Sequence, residues 1–247
     1  MPPHIVCLLI SFSAVSGGGA PLTGRDVLDS MHRRYADTWY RTLSFVQQNT
    51  ATARDGRTEH STWREYAVLP GRLRIEFEPA DSLAGLLFVS DSQFVFQGGR
   101  LTSATAFVHP LMVLGFDVYF DSVERTVQRL EGLGFDLATV HEDAWDGRPV
   151  YVVGARPGDL RTRQFWVDKE RLVFVRLLEL ARRDTTHTSD IRFNRYQPVG
   201  AAWLSAEVEF LVDGRRRWLE QYTEIATGQS LSDALFDPRR WTEATRR

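Results

Sequence analysis

The chain has 247 residues, of which 43% are hydrophobic and 25% are charged, an ordinary composition for a soluble globular protein and enough for one large domain. Its formal net charge of -2 argues against a nucleic-acid-binding protein, because such proteins are usually markedly basic. The single cysteine excludes a disulfide framework and a paired-cysteine metal site.

The apolar run at 5–15 predicts a secretory signal peptide. This run is too short to span a bilayer, and the small residues of Ala14-Val15-Ser16 follow it. We expect cleavage near 16–20, which would leave 21–247 as one exported domain in the periplasm. An uncleaved N-terminal anchor is the alternative, since the first residues lack the Lys or Arg that export signals usually carry.

The first element after this run is a predicted amphipathic helix at 23–40. Thr23 and Asp26 have the spacing of a helix N-cap and its capping partner. Val27 and Met31 lie on one stripe of such a helix. The helix is therefore expected to pack one face against the rest of the protein.

After this helix the hydrophobic period changes from helical to two, which is typical of β-strands. Turn signals at Asp55-Gly56, Pro70-Gly71 and Asp91-Ser92 divide 43–97 into adjacent antiparallel strands, which are predicted to stop at Gly98-Gly99. This part of the chain is predicted to form a β-meander.

The third strand of the meander has the clearest pattern, since Leu73, Ile75 and Phe77 alternate with charged residues. One face of this strand is expected to be buried. The other face, which carries Glu76 and Glu78, is expected to lie in solvent.

Two helical pieces are expected to interrupt the sheet, because 110–116 is apolar on every side and 122–133 has an amphipathic helical pattern. Strands resume at 135–225, with turns at Asp146-Gly147 and Asp213-Gly214. About ten strands must hide one apolar face in a closed barrel, a two-sheet sandwich or a strongly curved sheet covered by helices. The helices favour the curved sheet, so the predicted fold class is mainly β with a few helices (α+β).

Several motifs in these elements resemble the LolA/LolB-like superfamily of bacterial lipoprotein-sorting and lipid-handling proteins. Pro70-Gly71-Arg72 and Ser90-Asp91-Ser92 are similar to the turn, strand and hairpin of that superfamily. Pro110-Leu111-Met112 resembles the proline and leucines that open its lid helix. The residues at 151–154 and Trp166-Val167-Asp168 resemble its late hairpin.

This resemblance implies a strongly curved antiparallel sheet that forms an unclosed half-barrel, covered by a helical lid over a hydrophobic cavity that takes acyl chains. The chain departs from the superfamily pattern at two positions. Ser92 replaces the glycine of the hairpin, and Leu69 replaces the arginine proposed to latch the lid in the best-known carriers. The resemblance therefore implies the fold more directly than it implies the carrier mechanism.

The run at 110–120 is the best candidate for the lid or the cavity mouth, because it is apolar and contains a pliable methionine. Ordinary core packing is the alternative, both for this run and for the aromatic residues that we propose as cavity walls. The candidate cavity and lid residues are Phe45, Trp63, Phe77, Phe94, Phe96, Leu111, Met112, Leu114, Phe116, Phe165, Phe174 and Phe210.

Two basic clusters lie at predicted hairpin ends, where they would suit anionic lipid headgroups or an acidic protein partner. Solvated hairpin tips are the alternative interpretation. The two clusters consist of Arg161, Arg163, Arg215, Arg216 and Arg217.

The sequence contains no nucleophile elbow, phosphate-binding glycine loop or zinc-protease motif. We therefore expect no enzyme activity, no cofactor and no metal. The leading hypothesis is an exported carrier or binding protein for lipids or lipid-modified proteins in the bacterial cell envelope, in transient contact with the membrane surface.

The alternative hypothesis is an envelope regulatory or scaffold module of the same fold that binds a protein partner. An open apolar cavity would favour the carrier, and a filled cavity with an exposed partner patch would favour the module. A third hypothesis, an enzyme of unrecognised type, would require polar groups that converge inside the cavity.

Overall fold

The computed structural model describes residues 22–181 and 184–244. The predicted signal peptide at 1–20 lies outside the described residues. The first six strands of the described part are β1 (Thr42–Thr52), β2 (Thr58–Val68), β3 (Arg72–Phe77), β4 (Gly85–Val89), β5 (Ser92–Gln97) and β6 (Arg100–Ala106). Its other strands are β7 (Val140–Trp145), β8 (Arg148–Val153), β9 (Gln164–Asp168), β10 (Val173–Leu180), β11 (Thr188–Val199), β12 (Ala202–Val212) and β13 (Arg215–Thr227). Its α-helices are α1 (Gly24–Tyr35), α2 (Pro110–Gly115), α3 (Val123–Gly132) and α4 (Trp241–Ala244).

These strands belong to one antiparallel sheet, in which β1 to β6 follow one another on one side and β12 back to β7 on the other. The last strand, β13, joins the two sides by pairing with both β1 and β12. The strands β6 and β7 are the two edges, so the sheet does not close on itself within the described residues. The result is an open half-barrel with a few short helices, which confirms the predicted fold class.

Helix α1 begins as the sequence predicts. Thr23 and Asp26 form a capping box, in which each side chain accepts from the backbone of the other residue. The backbone N–H of Gly24 donates to the Leu137 carbonyl at 2.7 Å, and a Cβ at Gly24 would lie 2.7 Å from the Val153 side chain. Only glycine therefore allows this close approach to the sheet. The buried face consists of Val27, Leu28, Met31 and Tyr35.

The helix ends at Tyr35, earlier than the predicted end near residue 40. Trp39 and Tyr40 lie beyond the helix and are buried. The Trp39 ring stacks on the Tyr119 ring, with 3.7 Å between the centroids. The apolar pattern extends past Tyr35 because these aromatic residues belong to a loop that packs in the core, so the pattern overstated the length of the helix.

Strand β6 was not predicted, since the meander was expected to stop at Gly98-Gly99. Every residue of β6 is exposed, so no buried face marks it in the sequence. Its backbone pairs with β5 from Ser92 to Gln97. An edge strand can form through such pairing without contributing to the core.

The helices α1, α2 and α3 pack with the concave face of the sheet in the main hydrophobic core. Ser122 caps α3, and its hydroxyl accepts from the N–H of Arg125. The buried residues of α3 are Val123, Thr126 and Leu130. The helices therefore cover the concave face of the sheet, which is one of the three architectures that the number of strands allowed.

The convex face of β3 corrects one prediction. Arg74 and Glu76 are buried, although this face was expected to lie in solvent. The Arg74 guanidinium donates to Glu76 at 2.6 Å and to the carbonyls of Leu235 and Trp241 at 3.0 and 2.9 Å. The C-terminal segment folds back over β3 and covers both side chains. Glu78 remains partly exposed, where it pairs with an arginine of β2.

This C-terminal segment forms a second, smaller core on the convex face. The Trp241 ring stacks on Phe96 with 4.3 Å between centroids and lies 3.7 Å from the Arg74 guanidinium carbon. A Cβ at Gly85 would collide with the Trp241 ring and with the Ile75 carbonyl. Glycine at this position therefore lets the segment lie flat on the sheet.

Candidate ligand-binding cavity

A cavity of about 490 Å³ lies between the concave face of the sheet and the segment that contains α2. One wall comes from β1 to β5, and the opposite wall comes from β10 to β13. The third side comes from Phe107, His109, the first three residues of α2 and Phe116. Most of the lining is aliphatic or aromatic, so the cavity is an apolar space within a water-exposed sheet.

The structure brings six of the candidate residues together in this lining. Two stand on adjacent strands of one wall, one stands on β12 in the other wall, and three belong to α2 and the residue after it. The three strand residues point to the inner face of the sheet, and the other three lie on the side of the lid candidate that faces the sheet. These six residues are Phe45, Trp63, Phe210, Leu111, Met112 and Phe116.

The other six candidates lie outside the lining. Phe94 and Phe96 have the opposite phase on β5, so they pack on the convex face with the C-terminal segment. Phe77 lies beside the cavity, with its ring 4.7 Å from the Trp63 ring. The fully buried residues Leu114, Phe165 and Phe174 fill the main core.

The lid candidate at 110–120, which we call the lid segment, begins with a capped helix. His109 caps α2, because its Nδ1 accepts from the Met112 N–H at 3.4 Å, and Pro110 occupies the first turn. The His109 ring also meets the Phe88 ring edge-on at 4.9 Å. The predicted lid is therefore a short, well-packed helix at the cavity wall.

After α2, a buried ionic cluster joins the lid segment to the sheet. Arg129 of α3 donates to Asp117 and Asp121 at 2.9 Å each, and to Asp91 in the β4–β5 turn. Asp117 also accepts from the N–H of Gly71 at 2.9 Å. Burial raises the pKa of Asp117, while Arg129 and Gly71 partly offset this effect. We call these groups the Arg129 cluster.

Polar side chains that the sequence analysis did not single out also line the cavity. Glu65 of β2 and Glu220 of β13 face the same space as Gln47 and Tyr222. A signal for Glu65 was present, since it has the same strand phase as the inward-facing Trp63. A glutamate at a position where the alternation predicts an apolar residue is the feature that could have identified Glu65.

The two glutamates have strongly perturbed acidities. Burial raises the pKa of Glu220 to about 7, although hydrogen bonds from Tyr222 at 2.7 Å and Trp218 at 3.0 Å lower it. Burial, and then the charge of Glu220, raise the pKa of Glu65 well above its ordinary value. The cavity therefore contains two carboxyl groups that resist ionisation near neutral pH.

The candidate arginines gather at one end of the sheet, where four hairpin loops meet. Arg161 donates to the Thr185 carbonyl at 3.2 Å, and Arg217 donates to the Ala53 carbonyl at 3.2 Å. Arg216 pairs with Glu209 at 3.1 Å. At this surface, the first contact joins the β8–β9 and β10–β11 connections, and the second joins β13 to the β1–β2 connection.

The arginines of this surface differ in how freely they face solvent. Arg163 is held by Glu179 at 2.9 Å and by the Leu133 carbonyl at the end of α3. Arg161, Arg215 and Arg216 are exposed. Of the five docking candidates, these three therefore face solvent most fully.

Within the described residues, no group of three or more His, Cys, Asp or Glu side chains is arranged to hold a metal ion. None of the described helices is both long enough and apolar enough to cross a membrane.

Three solved structures are similar to this one. A DUF1329 family protein from Desulfovibrio piger has 17% identity and a TM-score of 0.57, over 87% of this chain and 95% of that chain. A domain named for outer membrane lipoprotein sorting, from Vibrio parahaemolyticus, has 12% identity and a TM-score of 0.60, over 88% and 97%. A LolA superfamily protein from Nitrosomonas europaea has 10% identity and a TM-score of 0.54, over 88% and 98%.

No family model matches the chain, and no curated protein matches it. The structural likenesses nevertheless establish the fold, because they cover nearly the whole of each chain. The chain has a LolA-like fold, which confirms the resemblance seen in the sequence.

Proposed function

We propose that this protein is a non-enzymatic carrier or binding protein for lipids or lipid-modified proteins in the bacterial cell envelope. It buries acyl chains in the cavity beside α2. The observation that carries this proposal is the open, mostly apolar cavity of about 490 Å³, a size within the roughly 300–1,000 Å³ that is typical of ligand sites. Each methylene group moved from water into such a space contributes about 0.8 kcal/mol.

The fold supports the same conclusion. Structures with this fold include a LolA superfamily protein and a domain named for lipoprotein sorting. The predicted export signal would place the protein in the periplasm. There, the exposed Arg161, Arg215 and Arg216 would meet anionic headgroups or an acidic partner while the acyl chains enter the cavity.

The regulatory or scaffold hypothesis predicts a cavity filled by side chains. The cavity of about 490 Å³ favours the carrier hypothesis instead. The polar groups Glu65 and Glu220 meet the condition set for an enzyme only in part, because the sequence contains no nucleophile elbow or zinc-protease motif that would act beside them.

The test is native mass spectrometry with lipid extraction on the protein purified from the periplasm of its own host or a near relative. We expect stoichiometric phospholipid or acylated peptide, whose mass would identify the cargo. An empty protein that also fails to take up a hydrophobic fluorescent probe would contradict the proposal and favour the protein-binding module.

A further inference from the structure

We propose that Glu65 and Glu220 make the cavity selective for amphiphiles that carry a cationic amine, which binds to this pair of acidic side chains. This inference rests on the proposed function, since it assumes that the cavity takes a ligand with an apolar chain. It adds the chemical class of the ligand's polar group.

The position of the two glutamates is the first argument. Glu65 lies opposite Phe45 on β1 and Ile75 on β3, in the middle of an apolar wall. Glu220 lies opposite Asn49 on β1 and Val208 on β12. The two carboxyl groups thus flank β1 from either side and interact across it, both within the cavity lining.

The supply of hydrogen-bond donors is the second argument. Glu220 accepts from Tyr222 and Trp218, which are neighbours on its own strand and orient its carboxyl group. Glu65 is only 6% exposed and has no hydrogen-bond donor within the described residues. Buried carboxyl groups are ordinarily supplied with donors. The donor that suits Glu65 is therefore a group of the ligand.

The sign of the charge is the third argument. The lining contains the acids Glu65, Glu179 and Glu220 but neither lysine nor arginine among the described residues. Glu179 already pairs with Arg163. Among the described lining residues the one base is His109, whose Nδ1 accepts from the Met112 N–H at the start of α2. An ammonium group beside Glu65 and Glu220 would favour their ionised forms and accept no proton from them, so it would form charge-assisted hydrogen bonds with both carboxylates, whereas an anionic group would oppose their ionisation.

The experiment compares three ligands that share one apolar chain and differ in the polar group: dodecylamine, dodecanol and dodecanoate. Each displaces a hydrophobic fluorescent dye from the protein at pH 8, below the concentration at which it forms micelles. We expect the amine to bind about tenfold or more tightly than the alcohol, as for a hydrogen bond to a charged group, and the carboxylate to bind most weakly.

The variant for this test is Glu65→Gln with Glu220→Gln, which keeps the shape of both side chains. It is expected to remove the preference for the amine, measured as the ratio of the affinities for dodecylamine and dodecanol. The matched control is Glu59→Gln with Glu224→Gln, which removes the same charge from exposed positions of the same two strands. This control is expected to keep the preference.

The outcomes separate the two proposals. If the protein binds the alcohol and the amine equally, or if the preference survives in the Glu65→Gln, Glu220→Gln variant, the inference is overturned and the proposed function stands. If none of the three ligands displaces the dye and the dye itself does not bind, the proposed function is overturned.

Discussion

At the residue scale, the carboxyl group of Glu220 has the most consequential environment. This carboxyl group lies between Trp218 and Tyr222 along β13, and it accepts a hydrogen bond from each of these two side chains. These hydrogen bonds offset only part of the cost of moving a carboxylate out of water. The folded protein therefore favours the protonated form of this side chain more than the unfolded chain does.

This environment predicts a pH dependence of stability. The ordinary pKa of the Glu220 carboxyl is 4.5 and the folded value is about 7, so folding takes up a proton between these pH values. The contribution is fully present below pH 4.5 and is lost as the pH rises through about 7. Its loss lowers the free energy of unfolding by on the order of 3 kcal/mol.

The Glu220→Gln variant should lack this part of the pH dependence. Denaturant unfolding at pH 5 and pH 8 is the measurement, and the variant should gain stability over the parent protein at pH 8 relative to pH 5. The exposed Glu59→Gln variant should follow the parent protein at both pH values. Parallel pH profiles for Glu220→Gln and the parent protein would show that the carboxyl group is not perturbed by folding.

For Arg74, the sequence correctly predicted the face of β3 that carries the side chain but wrongly predicted that this face is exposed to solvent. Its alternation with Leu73 and Ile75 placed it on the far side of β3 from the core, and the structure agrees. The far side is covered, however, by a segment about 160 residues later in the chain, which supplies the Leu235 and Trp241 carbonyls. Local periodicity contains no information about such a cover.

At the element scale, the Arg129 cluster takes the place of the lid latch that the resemblance implied at position 69. Leu69 is buried in the main core, so no charged latch exists there. Arg129 instead connects α3 to the turn after β4 through Asp91 and to the lid segment through Asp117. The lid candidate is thus joined to the sheet by an arginine of α3.

We predict that Arg129→Met loosens the lid segment without unfolding the sheet. Removing one partner of a buried ion pair leaves Asp117 uncompensated and costs about 3 kcal/mol. Hydrogen exchange in α2 and α3, and the exchange rate of a bound hydrophobic probe, should both become faster. Strands β8 to β12 should keep their protection from hydrogen exchange.

The matched control for this prediction is Arg125→Met, one turn earlier on α3. Arg125 is 57% exposed and contacts Asp121 at 3.2 Å and Asp91 at 3.7 Å. Its loss should change lid exchange only slightly, because exposed ion pairs contribute little. Equal effects of the two substitutions would argue against a latch at Arg129.

At the scale of the whole molecule, β13 makes the cavity possible. It pairs with β1 and β12 and thereby brings the two walls of the cavity into one curved sheet. Neither half of the chain contains both walls. The cavity is thus a property of the complete half-barrel.

Filling the cavity should block it without disturbing this architecture. Val212, at the end of β12, lines the cavity and is partly exposed, so Val212→Trp should fit with little strain. We expect about tenfold weaker uptake of a hydrophobic probe, as from the loss of roughly two buried methylene groups. The control is Val95→Trp, at a partly exposed valine of β5 that does not line the cavity. Unchanged uptake in Val212→Trp would mean that the probe binds elsewhere.

Much of the fold was predictable because the signals that specify it are local. The capping pair of Thr23 and Asp26, the glycine turns and the period-two alternation each depend on residues within a few positions of one another. The candidate site was predictable in part for the same reason. Alternation placed Phe45, Trp63 and Phe210 on inward faces, and the apolar run at 110–116 indicated a helix whose residues Leu111, Met112 and Phe116 line the cavity.

By itself, the sequence determined most of the strands and turns, the start of α1 and the mainly β class, because hydrogen-bonding geometry and side-chain alternation act over short distances. Only the tertiary structure decided that β13 lies between β1 and β12, that Arg74 is buried and that Glu65 and Glu220 share one cavity. These features depend on contacts between residues far apart in the chain. Burial is a property of the assembled sheet, so no short stretch of residues specifies it.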